Sequence, residues 1–234
     1  MKIIKRFIGL TALLALVACG AARHTSASVD LAKVDEFAFI QPLSYIVCYG
    51  DDGKASFDAE ESAQATRIIT SLISMERFPF SSVVDMDYDG THSDVVNWIY
   101  NFPEVKPKDI ARLRVPKSLC KVIADSGNRY GIVIYSYGYV QTVGGYMREK
   151  LEKAASRTID YAVEQLTGIT GLTNPSRNYS VDSPYGNVMY CAVIDSQAEE
   201  VVHFAGQVPT FASHPTDREN VSSMLHKLLK EFIR

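Results

Sequence analysis

The chain has 234 residues, 47% of them hydrophobic and 22% charged, with a formal net charge of −3. That length suits one globular domain with a proper core, and a mildly acidic chain lacks the basic face that nucleic-acid binding needs, so no nucleic acid is expected as a partner. Four cysteines, none in a CxxC pair, suggest neither a zinc site nor a thioredoxin-type centre.

Lys2, Lys5 and Arg6 precede an apolar run over residues 7–18, which ends in Leu16-Val17-Ala18-Cys19. A basic start, a short apolar stretch and small residues at a cut make a secretory signal peptide. The run is short for a bilayer, since a spanning helix needs about 20 apolar residues. The alternatives are an ordinary signal peptide with a chance cysteine, or a short membrane anchor. With a cysteine directly after the cut, the stretch resembles the lipobox of bacterial lipoproteins. That resemblance implies acyl chains, palmitate among them, on Cys19 as the first mature residue, with the lipid bilayer as a partner; several chains are what make such anchoring stable. Gly20 follows, not aspartate, and no acidic run comes next, which by the same resemblance implies the periplasmic face of the outer membrane. Losing residues 1–18 removes three basic side chains and leaves 21 basic against 27 acidic, a formal charge of −6. Residues 19–40 start small and polar and are expected to be a flexible tether. Residues 41–234 are expected to form one α/β domain, with a helical insertion at about 145–186.

Residues 44–50 are apolar, β-branched and aromatic, and predict a buried strand ending in a Gly50-Asp51-Asp52-Gly53 turn. The glycines have no phosphate-loop spacing. Asp58 is placed to cap a helix with Glu60 and Glu61 in its first turn. Ala65, Ile68, Ile69, Leu72, Ile73 and Met75 form its apolar stripe. Residues 78–85 predict a second strand, edge-like near Pro79.

Asp85-Met86-Asp87-Tyr88-Asp89-Gly90 follows. Oxygen ligands at alternate positions with a glycine at the sharp turn are what a calcium loop needs, with Asp94 as the next acid. Position twelve is Val96, not the bidentate glutamate, and the competing reading is a solvated turn whose aspartates bond their own backbone. Helices are expected over 93–101 and from Pro116 to the Ser126-Gly127-Asn128 stop.

Residues 130–140 predict a strand with Ile132 and Ile134 on one face and Tyr135, Tyr137 and Tyr139 on the other. Tyrosines at period two either form a partner-binding ladder or pack under helices with their hydroxyls at the rim. Residues 147–166 predict an amphipathic helix, too charged on one side to cross a bilayer. Residues 187–195 and 200–208, joined by four residues, predict an antiparallel hairpin. Thr216-x-x-Glu219 then reads as a capping box for a last helix that buries Val221, Met224, Leu225, Leu228 and Phe232. Cys48, Cys120 and Cys191 read as buried structural thiols, although one disulfide is compatible with an oxidising compartment. The fold class expected is therefore α/β: a mixed sheet flanked by helices, with a C-terminal antiparallel hairpin followed by a helix.

Two segments carry a further resemblance. The helix–turn–strand run from Leu119 to Gly138, and the hairpin from Val188 to Phe204 with Asp195 before its turn, are similar to a superfamily that includes the curli-secretion lipoprotein, the lipoprotein activator of penicillin-binding proteins and the amino-terminal domain of the Tol-system propeller protein. Gln197-Ala198-Glu199 replaces the usual Thr-Gly of that turn. The resemblance implies a non-catalytic envelope adaptor that binds one or more envelope proteins. An enzyme needs a nucleophile or an acid–base pair in a shaped site, and neither Gly-x-Ser-x-Gly nor His-Glu-x-x-His occurs. The alternative is a metal-dependent hydrolase or calcium-dependent glycan-binding lipoprotein built on Asp85, Asp87, Asp89 and Asp94, with His92 beside them. Apart from that calcium, no cofactor is expected.

Overall fold

The computed structural model describes residues 23–26, 29–75, 80–86, 91–99, 101–102, 109–110, 113–147, 183–207, 213–230 and 232. The strands are β1 (Arg23–Thr25), β2 (Phe37–Ile40), β3 (Leu43–Tyr49), β4 (Ala55–Phe57), β5 (Phe80–Val84), β6 (Tyr130–Gln141), β7 (Tyr185–Asp195) and β8 (Glu200–Gln207). The helices are α1 (Ala59–Met75), α2 (Thr91–Ile99), α3 (Lys117–Asp125) and α4 (Arg218–Leu229), and residues 143–147 are also helical. This is the expected class: one mixed sheet flanked by helices, with the β7–β8 antiparallel hairpin leading to α4.

β6 is the central strand. It pairs antiparallel with β7 along its length and in parallel with β2 and then β3 on its other side. β2 and β3 act as one interrupted strand. Phe39 faces Ile132 and Leu43 faces Tyr135, so four residues step past three. Pro42 sits in that bulge, where a residue without an N–H costs the ladder nothing. β5 pairs with β2 alone, and β4 pairs with β3 only at Val47–Tyr49.

The crossovers from β2 to β5 and from β5 to β6 run in opposite directions across the sheet, so right-handed connections place their helices on opposite faces. On one face Phe37, Phe39, Ile132, Ile134 and Val193 pack against Ile69, Leu72 and Ile73 of α1 and Met224, Leu225 and Leu228 of α4. On the other, Ala38, Ile40, Val133, Tyr135 and Ile194 pack against Val95, Trp98 and Ile99 of α2 and Leu119 and Ile123 of α3. The Asp58 carboxylate caps α1 by accepting from the Glu61 N–H at 3.0 Å. Gly127, at φ +84°, ends α3 in the left-handed conformation that glycine adopts without strain.

Four details depart from the sequence reading. The sheet begins inside the stretch expected to be a tether. β2 lies at its heart, Leu31 is buried in the α1–α4 core, and β1 pairs with β8. β2 has both faces covered, so its four residues are all apolar and show no alternation to read. β4 is a strand the turn-like sequence did not suggest. The cap of α4 is Asp217, which accepts from the Glu219 and Asn220 N–H groups, because Thr216 is engaged by His214 at 2.7 Å. Met75, assigned to the buried stripe of α1, is exposed, since it lies roughly 100° round from the stripe's centre at 3.6 residues per turn. Of the helix expected over 147–166 only residue 147 is described, within the helical residues 143–147; residues 148–166 lie outside the described residues.

Candidate functional site

The sequence-derived site residues fall in three places. Cys19, Asp87 and Asp89 lie outside the described residues. Asp85 is exposed just after β5, and Asp94 is exposed in the first turn of α2, where its Oδ2 accepts from the Ser118 hydroxyl at 2.7 Å. That bond ties α2 to α3. Among the described residues no three His, Cys, Asp or Glu side chains converge as a metal would need. Tyr135, Tyr137 and Tyr139 share the face of the sheet that α2 and α3 cover, and they grade outward: Tyr135 is 5% exposed, while Tyr137 and Tyr139 are half-buried.

These tyrosines belong to a larger aromatic arrangement. In the β3–β6 register Tyr45 is opposite Tyr137 and Val47 opposite Tyr139, and Phe57 of β4 is opposite Val47. The rings therefore meet across strands. Tyr45 stacks on Phe57 with centroids 4.9 Å apart and lies parallel to Tyr137 at 6.1 Å, while Tyr49 meets Tyr139 edge-on. Toward the core Tyr135 stacks on Tyr190, and Tyr190 on Phe204, under Phe102. A strip of rings thus runs from the buried core to the open end of the sheet, where Phe57 is 53% exposed. Burial, with smaller contributions from Tyr49 and Tyr45, raises the Tyr137 hydroxyl above its ordinary range, so it stays a protonated donor.

Beside this strip the sheet is open. Past Ile40 there is no β5, and before Val47 there is no β4, so Leu43–Tyr45 have β6 on one side and no strand on the other among the described residues. Ile46 closes the far end of the gap, since its N–H donates to Ser62 Oγ at 2.9 Å and its carbonyl accepts from the Asp58 N–H. Two cavities flank the gap. One, of about 410 Å³, lies against α1 and is lined by Gln41, Ser44, Ser62, Thr66, Arg67 and His92 among others. The other, of about 290 Å³, lies against α2 and is lined by Tyr45, Phe57, Val96, Ile99 and Tyr135 among others. They adjoin through Leu43, Ser44, Phe57 and His92, which line both. Each is near the lower end of the range for ligand sites, roughly 300–1,000 Å³.

The sequence reading singled out Tyr135, Tyr137 and Tyr139 but missed Phe57, Tyr45, Ser44 and Arg67. Tyr45 and Tyr49 repeat the same period-two spacing one strand away, which was a usable signal. Arg67 gives none, being a lone base on a polar helix face.

The other polar chemistry on the sheet holds the fold together. Asp195, 2% exposed, receives two hydrogen bonds from Arg129 Nε, at 3.2 and 3.1 Å, one from Nη2 at 2.7 Å, and one each from the Gln197 and Ala198 N–H groups. Burial works to raise its carboxyl, but Arg129 and the two backbone donors outweigh that and hold it below the usual carboxylate range. Cys48, Cys120 and Cys191 carry thiols and form no disulfide among the described residues. Burial, with the nearby Glu199 and Asp195 charges, pushes the Cys120 thiol up to about 11, which leaves it a poor nucleophile. His203 is fully buried, with Nδ1 2.8 Å from Thr25 Oγ1 and its ring against Phe232; it joins β1 to β8.

No family model and no curated protein matches the chain. Among solved structures, a PelC dodecamer from Paraburkholderia phytofirmans is similar over 92% of this chain and 99% of its own at 11% identity, with a TM-score of 0.37. A DUF4136 family protein from Bacteroides thetaiotaomicron is similar over 91% and 94%, at 10% identity and a TM-score of 0.32.

Proposed function

We propose that this protein is a lipid-anchored envelope component, held by acylated Cys19 at the periplasmic face of the outer membrane, and that it serves as a non-catalytic adaptor. The anchor rests on the Leu16-Val17-Ala18-Cys19 stretch. Among the described residues no helix is long and apolar enough to cross a membrane. The observation that carries the adaptor reading is the ring strip Tyr137–Tyr45–Phe57, stacked at 6.1 and 4.9 Å and emerging at the sheet's open end. Aromatic side chains are enriched where proteins anchor one another, because they bury much area at little entropy cost. A half-exposed phenylalanine already held by stacking is pre-organised for that task.

The test has two parts. Mass spectrometry of the mature amino terminus reads the anchor directly: Cys19 without acyl groups overturns it. For the adaptor, a photo-crosslinking residue placed at Phe57 in cells is expected to trap one defined envelope protein, while the same residue at exposed Lys121 on α3 traps none. Replacing Tyr45 with serine, which removes the ring that Phe57 stacks on, is expected to abolish the adduct. Adducts of equal yield from both positions would sink the reading.

A further inference from the structure

We propose that the gap in the sheet at Ser44 is a binding site for a small amphiphilic carboxylate, with the acid group in the α1-side cavity and the apolar body in the α2-side cavity. The inference goes beyond the adaptor reading and stands without it.

Three observations carry it. The first is the division of the lining. The α2 side is formed by Tyr45, Phe57, Tyr135, Val96 and Ile99, a surface for an alkyl chain or flat ring. The α1 side is mixed: Gln41, Ser62, Thr66 and Arg67 supply polar groups there, beside apolar residues such as Pro42 and Ala59. Because the cavities adjoin at Ser44 and His92, one molecule can occupy both.

The second is charge. In a chain of net charge −3, the described residues lining the two cavities include Arg67 and His92 and no carboxylate. Arg67 makes no ion pair among the described residues, while its planar fork is the group best suited to a carboxylate. His92, the second residue of α2, lines both cavities and adds ring nitrogens that donate or accept beside Arg67. Arg67 favours an anionic head, which can take two charge-assisted hydrogen bonds from it, over a neutral head, which offers a single uncharged acceptor, and over a cationic head, which it repels.

The third is an unsatisfied group. Ser44 Oγ is buried and has no hydrogen-bond partner among the described residues. A buried hydroxyl without a partner is costly, and such groups in native structures call for an explanation. Ser44 alternates with the outward tyrosines of β3, so its hydroxyl is on the α1 side, where an acid head would accept from it.

Octanoate is a suitable probe, with octanol and octylammonium as the same chain bearing a neutral or positive head. The full-length protein in lipid nanodiscs, with empty nanodiscs as the blank, is titrated while histidine NMR signals are followed. Octanoate is expected to shift the His92 resonance saturably, with octanol and octylammonium at least tenfold weaker. Arg67→Gln, on an exposed helix face where the fold does not depend on it, is expected to weaken octanoate about tenfold and leave octanol unchanged; Arg67→Lys keeps most of the affinity. Ser44→Ala is expected to weaken octanoate several-fold. Equal binding of the three probes, an unmoved His92 signal, or full octanoate affinity in Arg67→Gln overturns the proposal. Loss of Phe57 crosslinking with octanoate binding intact leaves this site standing and removes only the adaptor.

Discussion

Along β6, residues 131–135 lie beneath helices on both faces, whereas Tyr137, Tyr139 and Val140 are only half-buried. The first half alternates Ile132 and Ile134 with Val133 and Tyr135, and each of the two faces meets its own helix pair. The second half keeps the alternation but changes the chemistry. Ser136 and Gly138 face one way, the tyrosines face the other, and the neighbours are rings on β3 and β4 rather than helices. One strand therefore does two jobs. Where both faces are covered, apolar volume alone decides what fits; where one face opens, side chains appear that are apolar in the body and polar at the tip.

The largest effect should come from the covered half. Phe39, fully buried on β2 beside Ile132, packs between α1 and α4. Phe39→Ala is expected to cost about 3–5 kcal/mol, the lost transfer energy plus the cavity left behind, read as a lower urea midpoint at unchanged m-value. A cost below about 1 kcal/mol would mean that β2 is dispensable and that the expected tether does extend to residue 40.

Two glycines test the contrast directly. A Cβ on Gly131 would stand 2.5 and 2.6 Å from Ile123 Cδ1 and Cγ1, and Ile123 is fully buried under α3. Gly131→Ala is expected to cost about 1–3 kcal/mol, as overpacking does. A Cβ on Gly186 would meet the Tyr139 ring even more closely, yet Tyr139 is only half-buried, and a side chain near the surface is displaced at less cost than one in the core. Gly186→Ala should therefore cost less than Gly131→Ala, despite the tighter contact. The reverse order, measured by the same unfolding curves, would show that the tyrosine end is as rigidly packed as the core.

The Arg129–Asp195 pair closes the covered half, at the turn end of the hairpin. Because the native Asp195 carboxyl is held low, its contribution is present above the unfolded value, about 3.9, and is lost as pH falls through the lower native value. Arg129→Ala is expected to lower the urea midpoint modestly at pH 7, with the difference from wild type steady down to about pH 5 and shrinking below pH 4. A difference that grows on acidification has the wrong sign for this pair.

How far the sequence could be read follows the same division. Segments with a periodic pattern were legible: α1 through Ala65, Ile69 and Leu72, α4 through Val221, Met224 and Leu228, and β6 and β7 through their alternation. β2 was not, because Phe37-Ala38-Phe39-Ile40 is short and buried on both faces, so burial erased the period that would have marked it. The three tyrosines of β6 were legible as a row. What they stack on depends on the β3 register past Pro42, a pairing of residues about 90 apart that no local pattern encodes. Arg67 and Ser44 were illegible for the same reason. Each is unremarkable in its own element, and they share a cavity only because β4 and β5 stop short of one another.

The smallest effect on stability should come from the open end, at Phe57. Half of its surface is already in water and its main attachment is the stack on Tyr45, so Phe57→Ser is expected to cost about 1 kcal/mol or less. The same substitution removes the outermost ring of the strip and part of the apolar cavity wall. It should therefore abolish capture at the strip, read from a crosslinker moved to Tyr137, and weaken octanoate severalfold. A side chain that contributes little to the fold and much to binding has been placed for contact. If Phe57→Ser instead destabilised the protein as much as Phe39→Ala, the strip would be a continuation of the core, and the open end of the sheet would have no claim to be a site.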